Sequence, residues 1–134
     1  MAATTQDRNT PLKDGQLIPV GVAAGTKIPG GVIVCANAAG FAVNGATATT
    51  LTYLGTADNA VDNSGGADGA QVILVRRGKA AKFGNDGGDP VNQTSIGKPA
   101  YIVDNQTVAR THGANTRSAA GIVLGVDADG VWII

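Results

Sequence analysis

Glycine, asparagine and aspartate interrupt this chain too often for a long helix to form. The 20 glycines weaken helix interiors and supply the positive φ that tight turns need. All ten acidic residues are Asp and none is Glu. Asp favours caps and turns, whereas Glu favours helix interiors. Val and Ile together outnumber Leu by 23 to 6, and β-branched side chains fit a pleated surface. The alanines would suit a helix, but they are interleaved with Gly, Asn and Thr. These features predict an all-β fold, a small β-barrel or β-sandwich-like domain of short strands.

With 134 residues the chain suits one domain, which would bury about two-thirds of its unfolded surface. Residues 1–15 are polar and aperiodic, with Thr10-Pro11 and Asp14-Gly15 as breakers. They read as an extended N-terminal arm, and residues 16–134 as a single β domain. Fully extended, the arm reaches about 50 Å, farther than the domain is wide, so it can touch a neighbour. The plainer alternative is a frayed terminus.

Leu17–Val22 reads as a strand in which Pro19 marks either a sheet edge or a bulge. Val32–Cys35 and Phe41–Val43 flank a turn at Asn37–Gly40. Thr49–Leu54 alternates polar and apolar residues, the mark of one buried face. Residues 57–70 form a long, mobile Gly/Asp/Asn loop. Gln71–Arg77 reads as a strand whose continuous apolar stretch, Val72–Val75, predicts burial on both faces, and Lys79–Phe83 follows Gly78 as its expected hairpin partner. Gly97–Val103 and Thr107–Arg110 flank an Asp104-Asn105 turn. Ala120–Val126 and Val131–Ile134 flank Asp127–Gly130, and Asp-Gly beside β-branched residues is a strong hairpin signal.

Formal net charge is zero, which argues against a nucleic-acid partner. Cys35 is the lone cysteine. It lies in an apolar run and reads as a small buried residue. The N-terminus lacks the apolar stretch of a signal peptide, and the apolar runs are too short to span a membrane as a helix.

The lone histidine, His112, has no His or Cys near it in sequence and reads as a loop residue. Asp58, Asp62, Asp68, Asp86 and Asp89 lie in glycine-rich loops of the kind that can bind calcium, but the EF-hand form needs a Glu that the chain lacks. Gly84–Gly88 has no following Lys-Ser/Thr, and no Gly-x-Ser-x-Gly elbow occurs. Neither a catalytic residue, a cofactor nor a metal ligand is assigned, and the chain is not expected to be an enzyme. Arg76, Arg77, Lys79 and Lys82 concentrate positive charge, either as a patch for an acidic partner or as a solvated hairpin tip. Tyr53 and Trp132 are the plausible aromatic donors for a sugar site.

The C-terminal third resembles a pattern found in tailed-phage capsid decoration (cement) proteins. The segments are Gly97–Val108, Ala120–Val126 and Asp129–Ile133: a strand into an Asp-containing turn, an Ala-Gly-x-x-x-Gly strand, and a Gly-x-Trp-x-Ile-like ending. The resemblance covers about 40 residues and is carried by turn-and-strand grammar. It implies a homotrimer on the outer face of an icosahedral head, bound to the major capsid protein and made in the bacterial host cytoplasm. The residues expected to meet a partner are Thr4, Gln6, Arg8, Pro11 and Leu12 of the arm, with Arg76, Arg77, Lys79 and Lys82. Other readings are a tail or spike module of the virion, or a carbohydrate-binding β-sandwich.

Overall fold

The computed structural model describes residues 2–134; residue 1 of the arm lies outside them. The body is all-β. It has β1 (Leu17–Gly21), β2 (Thr26–Ile28), β3 (Ile33–Ala36), β4 (Ala42–Asn44), β5 (Thr52–Ala57) and β6 (Val61–Asn63). There follow β7 (Val72–Arg76), β8 (Ala81–Asn85), a 3₁₀ turn at Gln93–Ser95, β9 (Pro99–Ile102), β10 (Thr107–Ala109), β11 (Ala119–Asp127) and β12 (Gly130–Ile133).

The strands form an open sheet in the order β1-β7-β5-β3-β4, a closed barrel in the order β10-β8-β12-β11-β9, and a β2-β6 ribbon. Turn chemistry sets the local hairpins. The Asn37 side chain accepts from the amides of Ala39 and Phe41, both at 3.0 Å, and folds β3 onto β4. Asp104 accepts from the Gln106 amide at 2.9 Å and folds β9 onto β10. β11 and β12 pair from Val126↔Val131 to Asp127↔Gly130 across their turn. As Pro19 requires, β1 lies at the sheet edge.

Two apolar cores result. The barrel core contains Phe83, Val91, Ile102, Val108, Val123, Val131 and Ile133. The sheet core contains Val22, Ile28, Ala42, Ile73 and Val75. Strand β3 serves both: Ile33 and Cys35 enter the barrel core while Val34 enters the other. Alternation along a strand sends successive side chains to opposite faces, so one short apolar run joins the two layers. Burial pushes the Cys35 thiol up to about 12, so it packs as a small apolar group.

Three expectations need correction. β7 is not buried on both faces: Ile73 and Val75 are fully buried, but Val72 is 54% and Leu74 37% exposed. A continuous apolar run does not reveal whether a second layer covers it. Lys79–Phe83 is not the partner of β7, because both edges of β7 are taken by β1 and β5. Instead Gly78, at φ 79°, turns the chain out of the sheet. β8 then joins the barrel, antiparallel to β12 and parallel to β10. Finally, residues 57–70 are not one long loop. They include the end of β5 and all of β6, which pairs with β2.

That segment carries a buried polar hub. Asn63 is 2% exposed, and its amide nitrogen donates to the carbonyls of Val22 (3.2 Å), Ala23 (3.0 Å) and Ala67 (3.0 Å). The Val22 and Ala67 carbonyls also accept from the Gly69 and Ala70 amides, but the Ala23 carbonyl has no other donor among the described residues, and a buried carbonyl without a partner is costly. We expect Asn63→Ala to lower unfolding free energy by about 2 kcal/mol. Urea unfolding should show a lower midpoint at an unchanged slope.

Candidate interaction surfaces

This architecture leaves three features unpacked. The first is the arm. Residues 2–15 are all exposed, and their side-chain hydrogen bonds are local. Thr4 accepts from the Gln6 amide at 3.1 Å, Arg8 donates to Thr10, and Asp14 accepts from the Gln16 amide at 2.9 Å. Among the described residues, the arm is first tied to the body where the Arg77 amide donates to the Gln16 carbonyl at 2.7 Å. Thr4, Gln6, Arg8, Pro11 and Leu12 therefore all face solvent.

The second is the outer face of the β11–β12 hairpin. Alternation turns Val123, Val131 and Ile133 inward and leaves their neighbours outside. Ile122 is 38%, Leu124 52%, Trp132 37% and Ile134 48% exposed. The backbones of Ile122 and Ile134 exchange hydrogen bonds at 2.8 and 3.0 Å. Trp132 is fixed by its Nε1–H, which donates to Asp127 at 2.7 Å. The Lys82 ammonium lies 5.6 Å from the centre of its ring. Adjacent exposed apolar side chains rimmed by charge are the usual make-up of a contact surface.

The third is a groove of about 710 Å³ between sheet and barrel. One wall is β5 from Thr52 to Thr56 with Arg76 and Arg77; the other is Ala119–Ile122 with Ile134, and Gly78–Ala81 crosses between them. Gly55, at φ 151°, lets β5 pass against Arg76, since a Cβ there would collide with the Arg76 carbonyl. Tyr53 is half-buried here, and burial pushes its hydroxyl up to about 12.

The four basic residues expected to act together divide between these surfaces. Arg76 Nε and Nη2 each lie 2.9 Å from the Asp58 carboxylate. Lys82 is 2.9 Å from Asp129, a hydrogen bond that raises the lysine's pKa and lowers the carboxyl's. Arg77 and Lys79 are exposed on the groove and have no carboxylate partner among the described residues. The two apolar surfaces were not assigned from sequence. The signal for the first was present in Ile122-Val123-Leu124, where a strand with one wet face should alternate with polar residues.

Four of the five loop aspartates, Asp58, Asp62, Asp68 and Asp89, have side-chain hydrogen-bond partners. Asp62 accepts from the Ser64 amide, and Asp68 from the Ala24 amide at 2.8 Å. Asp89 accepts from Thr111 Oγ1 at 2.6 Å, the Thr111 amide at 3.0 Å and Arg117 at 3.0 Å. Among the described residues, no three of His, Cys and Asp gather as a metal site would require. His112 is exposed in the loop this network holds. Its Nδ1 accepts from the Asn115 amide at 2.9 Å, and its ring meets Tyr101 edge-on at 5.9 Å.

Compared with protein-family models, curated proteins and solved structures, the chain matches none.

Two outcomes are expected of the 111–117 loop. His112→Ala removes one exposed turn hydrogen bond and should cost no more than about 1 kcal/mol in thermal unfolding. The Asp89 carboxyl is held below its usual range, chiefly by the Thr111 hydroxyl and also by the Thr111 amide and Arg117. Its contribution is therefore complete above the ordinary carboxylate pKa and lost as pH falls through the lower folded value. Asp89→Ala should be destabilising at pH 7, and its difference from the parent should shrink below about pH 4. Unfolding curves of both proteins across that range check it.

Proposed function

We propose that this chain is a structural cement protein of a tailed-phage head, bound as a homotrimer to the outer surface of the major capsid protein. It acts without chemistry or cofactor, by adding contact energy across neighbouring capsomers against the outward pressure of packaged DNA. On this reading it is made in the bacterial host cytoplasm and resides on the virion. The observation that carries the proposal is the arm: 2–15 are wholly exposed beside a closed barrel that also exposes Ile122, Leu124, Trp132 and Ile134. Ordering an exposed arm costs roughly 1–2 kcal/mol per residue in backbone entropy, and an arm with no hydrogen bond to its own body among the described residues recovers that cost on another surface.

The test is a titration onto purified capsids that lack this protein, with sedimentation of the bound and free forms. The full chain should bind in threes. Deletion of residues 2–13 should leave thermal unfolding unchanged but weaken attachment by about 2 kcal/mol or more, roughly 30-fold. No binding of the full chain, or equal binding of the truncated one, would overturn the proposal or the role of the arm respectively.

A further inference from the structure

The groove has three properties that belong together. Its sheet wall is an open strand edge: β5 pairs with β7 only at Thr56 and Ala57. Thr52–Leu54 pairs with β3 on one side and has no strand on the other among the described residues, whereas at Gly55 the Arg76 carbonyl already lies against β5. That free edge is about 10 Å long, and a groove of about 710 Å³ is ample for a short peptide. The groove is also largely apolar and lined by small residues, with Ala80 and Ala81 crossing it and Ala119 and Ala120 opposite. Finally, every charged side chain lining it is basic. Arg76 is neutralised by Asp58, whereas Arg77 and Lys79 are not neutralised by any described residue.

We propose that this groove is a strand-addition site for an extended, acidic segment of a partner protein. The segment's backbone pairs with the free edge of β5 at Thr52–Leu54. Apolar side chains on one face of the segment meet Leu51 and Tyr53, those on its other face meet Leu54, and its carboxylates meet Arg77 and Lys79. Extended peptides bind open sheet edges in this way, with main-chain hydrogen bonds for affinity and side-chain pockets for selectivity. Two unpaired cations on an apolar groove make the local potential positive and favour an acidic sequence. The arm of a second copy fits less well: it leaves the body at Gln16 beside this groove, but its Asp7 and Asp14 are balanced by Arg8 and Lys13. The inference does not depend on the capsid reading.

Fluorescence anisotropy on the full-length protein tests it. The probe is a labelled peptide of about eight residues alternating Asp and Val, long enough to span the edge. Five comparisons accompany it: the same peptide with Lys for Asp, the acidic peptide N-methylated on the odd amides, the same peptide N-methylated on the even amides, a peptide of residues 2–15, and an oligothymidylate. We expect the acidic peptide to bind at least about tenfold more tightly than the basic one and to weaken with salt. N-methylation should abolish binding on one of the two alternating registers, as strand pairing demands. Arg77→Glu with Lys79→Glu should reverse the charge preference at an unchanged melting temperature. Arg77→Gln with Lys79→Gln serves if the double reversal fails to fold. Equal binding of acidic and basic peptides, insensitivity to N-methylation, or no binding would each overturn the proposal. Tighter binding of the 2–15 peptide would assign the groove to a second copy, and tighter binding of oligothymidylate to nucleic acid; either also overturns it.

Discussion

A strand can join two layers only if both of its faces are apolar, and β3 meets that condition with Ile33, Val34 and Cys35. All three are fully buried, the first and last in the barrel core and the middle one in the sheet core. Burying one such aliphatic side chain contributes about 1.5–3 kcal/mol, while a whole domain is stable by only about 5–15 kcal/mol. The junction therefore carries a substantial share of what holds the body together. A polar residue at any of these positions would uncouple the layers rather than merely loosen one. The Ile33 amide reinforces the joint by donating to the Asn105 carbonyl at 2.8 Å, outside the β3 ladders.

The groove follows from the same junction. Sheet and barrel are fastened at β3, but the chain must still pass from β7 in one to β8 in the other. Gly78 makes that passage possible, and Gly78–Ala81 spans the opening instead of filling it. Small residues on the far wall, Ala119, Ala120 and Gly121, leave the space empty. Gly121 has no freedom to grow, since a Cβ there would collide with the Ile134 carbonyl. The opening is thus built from backbone proximity and side-chain size rather than from a poorly packed core.

What the sequence makes legible is what local chemistry decides. Asp104-Asn105 and Asp127–Gly130 announce their hairpins because the turn residues and the strands they join lie within a few positions of each other. Pro19 announces an edge because its missing amide forbids a central place. The exposure of residues 2–15 is legible from their polarity. The pairing of β8 is not, because whether Phe83 packs beside β7 or inside a barrel depends on β10 and β12, far along the chain. Strands β2 and β6 escape notice because each is three residues long and β6 lies inside a run of turn formers. The groove is the least legible feature, since its walls come from residues 51–56, 76–81, 119–122 and 134. Composition alone marks Arg77 and Lys79 as basic. Only the fold separates them from Arg76 and Lys82, whose charges are already answered.

A long arm and a rigid apolar face on one chain have a joint consequence. Neither needs to bind tightly alone. Once one is engaged, the other meets its own site at an effective concentration set by the tether, on the order of millimolar for a short flexible link. Their free energies then add, less the cost of holding the tether. The arm leaves the body at Gln16, against Arg77 and Gly78, while the apolar face lies on β11 and β12. An arm that can reach away from a fixed apolar face suits a partner with a broad, repeating surface better than a small compact one. On a lattice of identical subunits, a body seated on one subunit places its arm within reach of the next, given a span of up to about 50 Å. A clamp of this kind resists separation of the two subunits with the sum of both contacts, which is the mechanical property the proposed role requires.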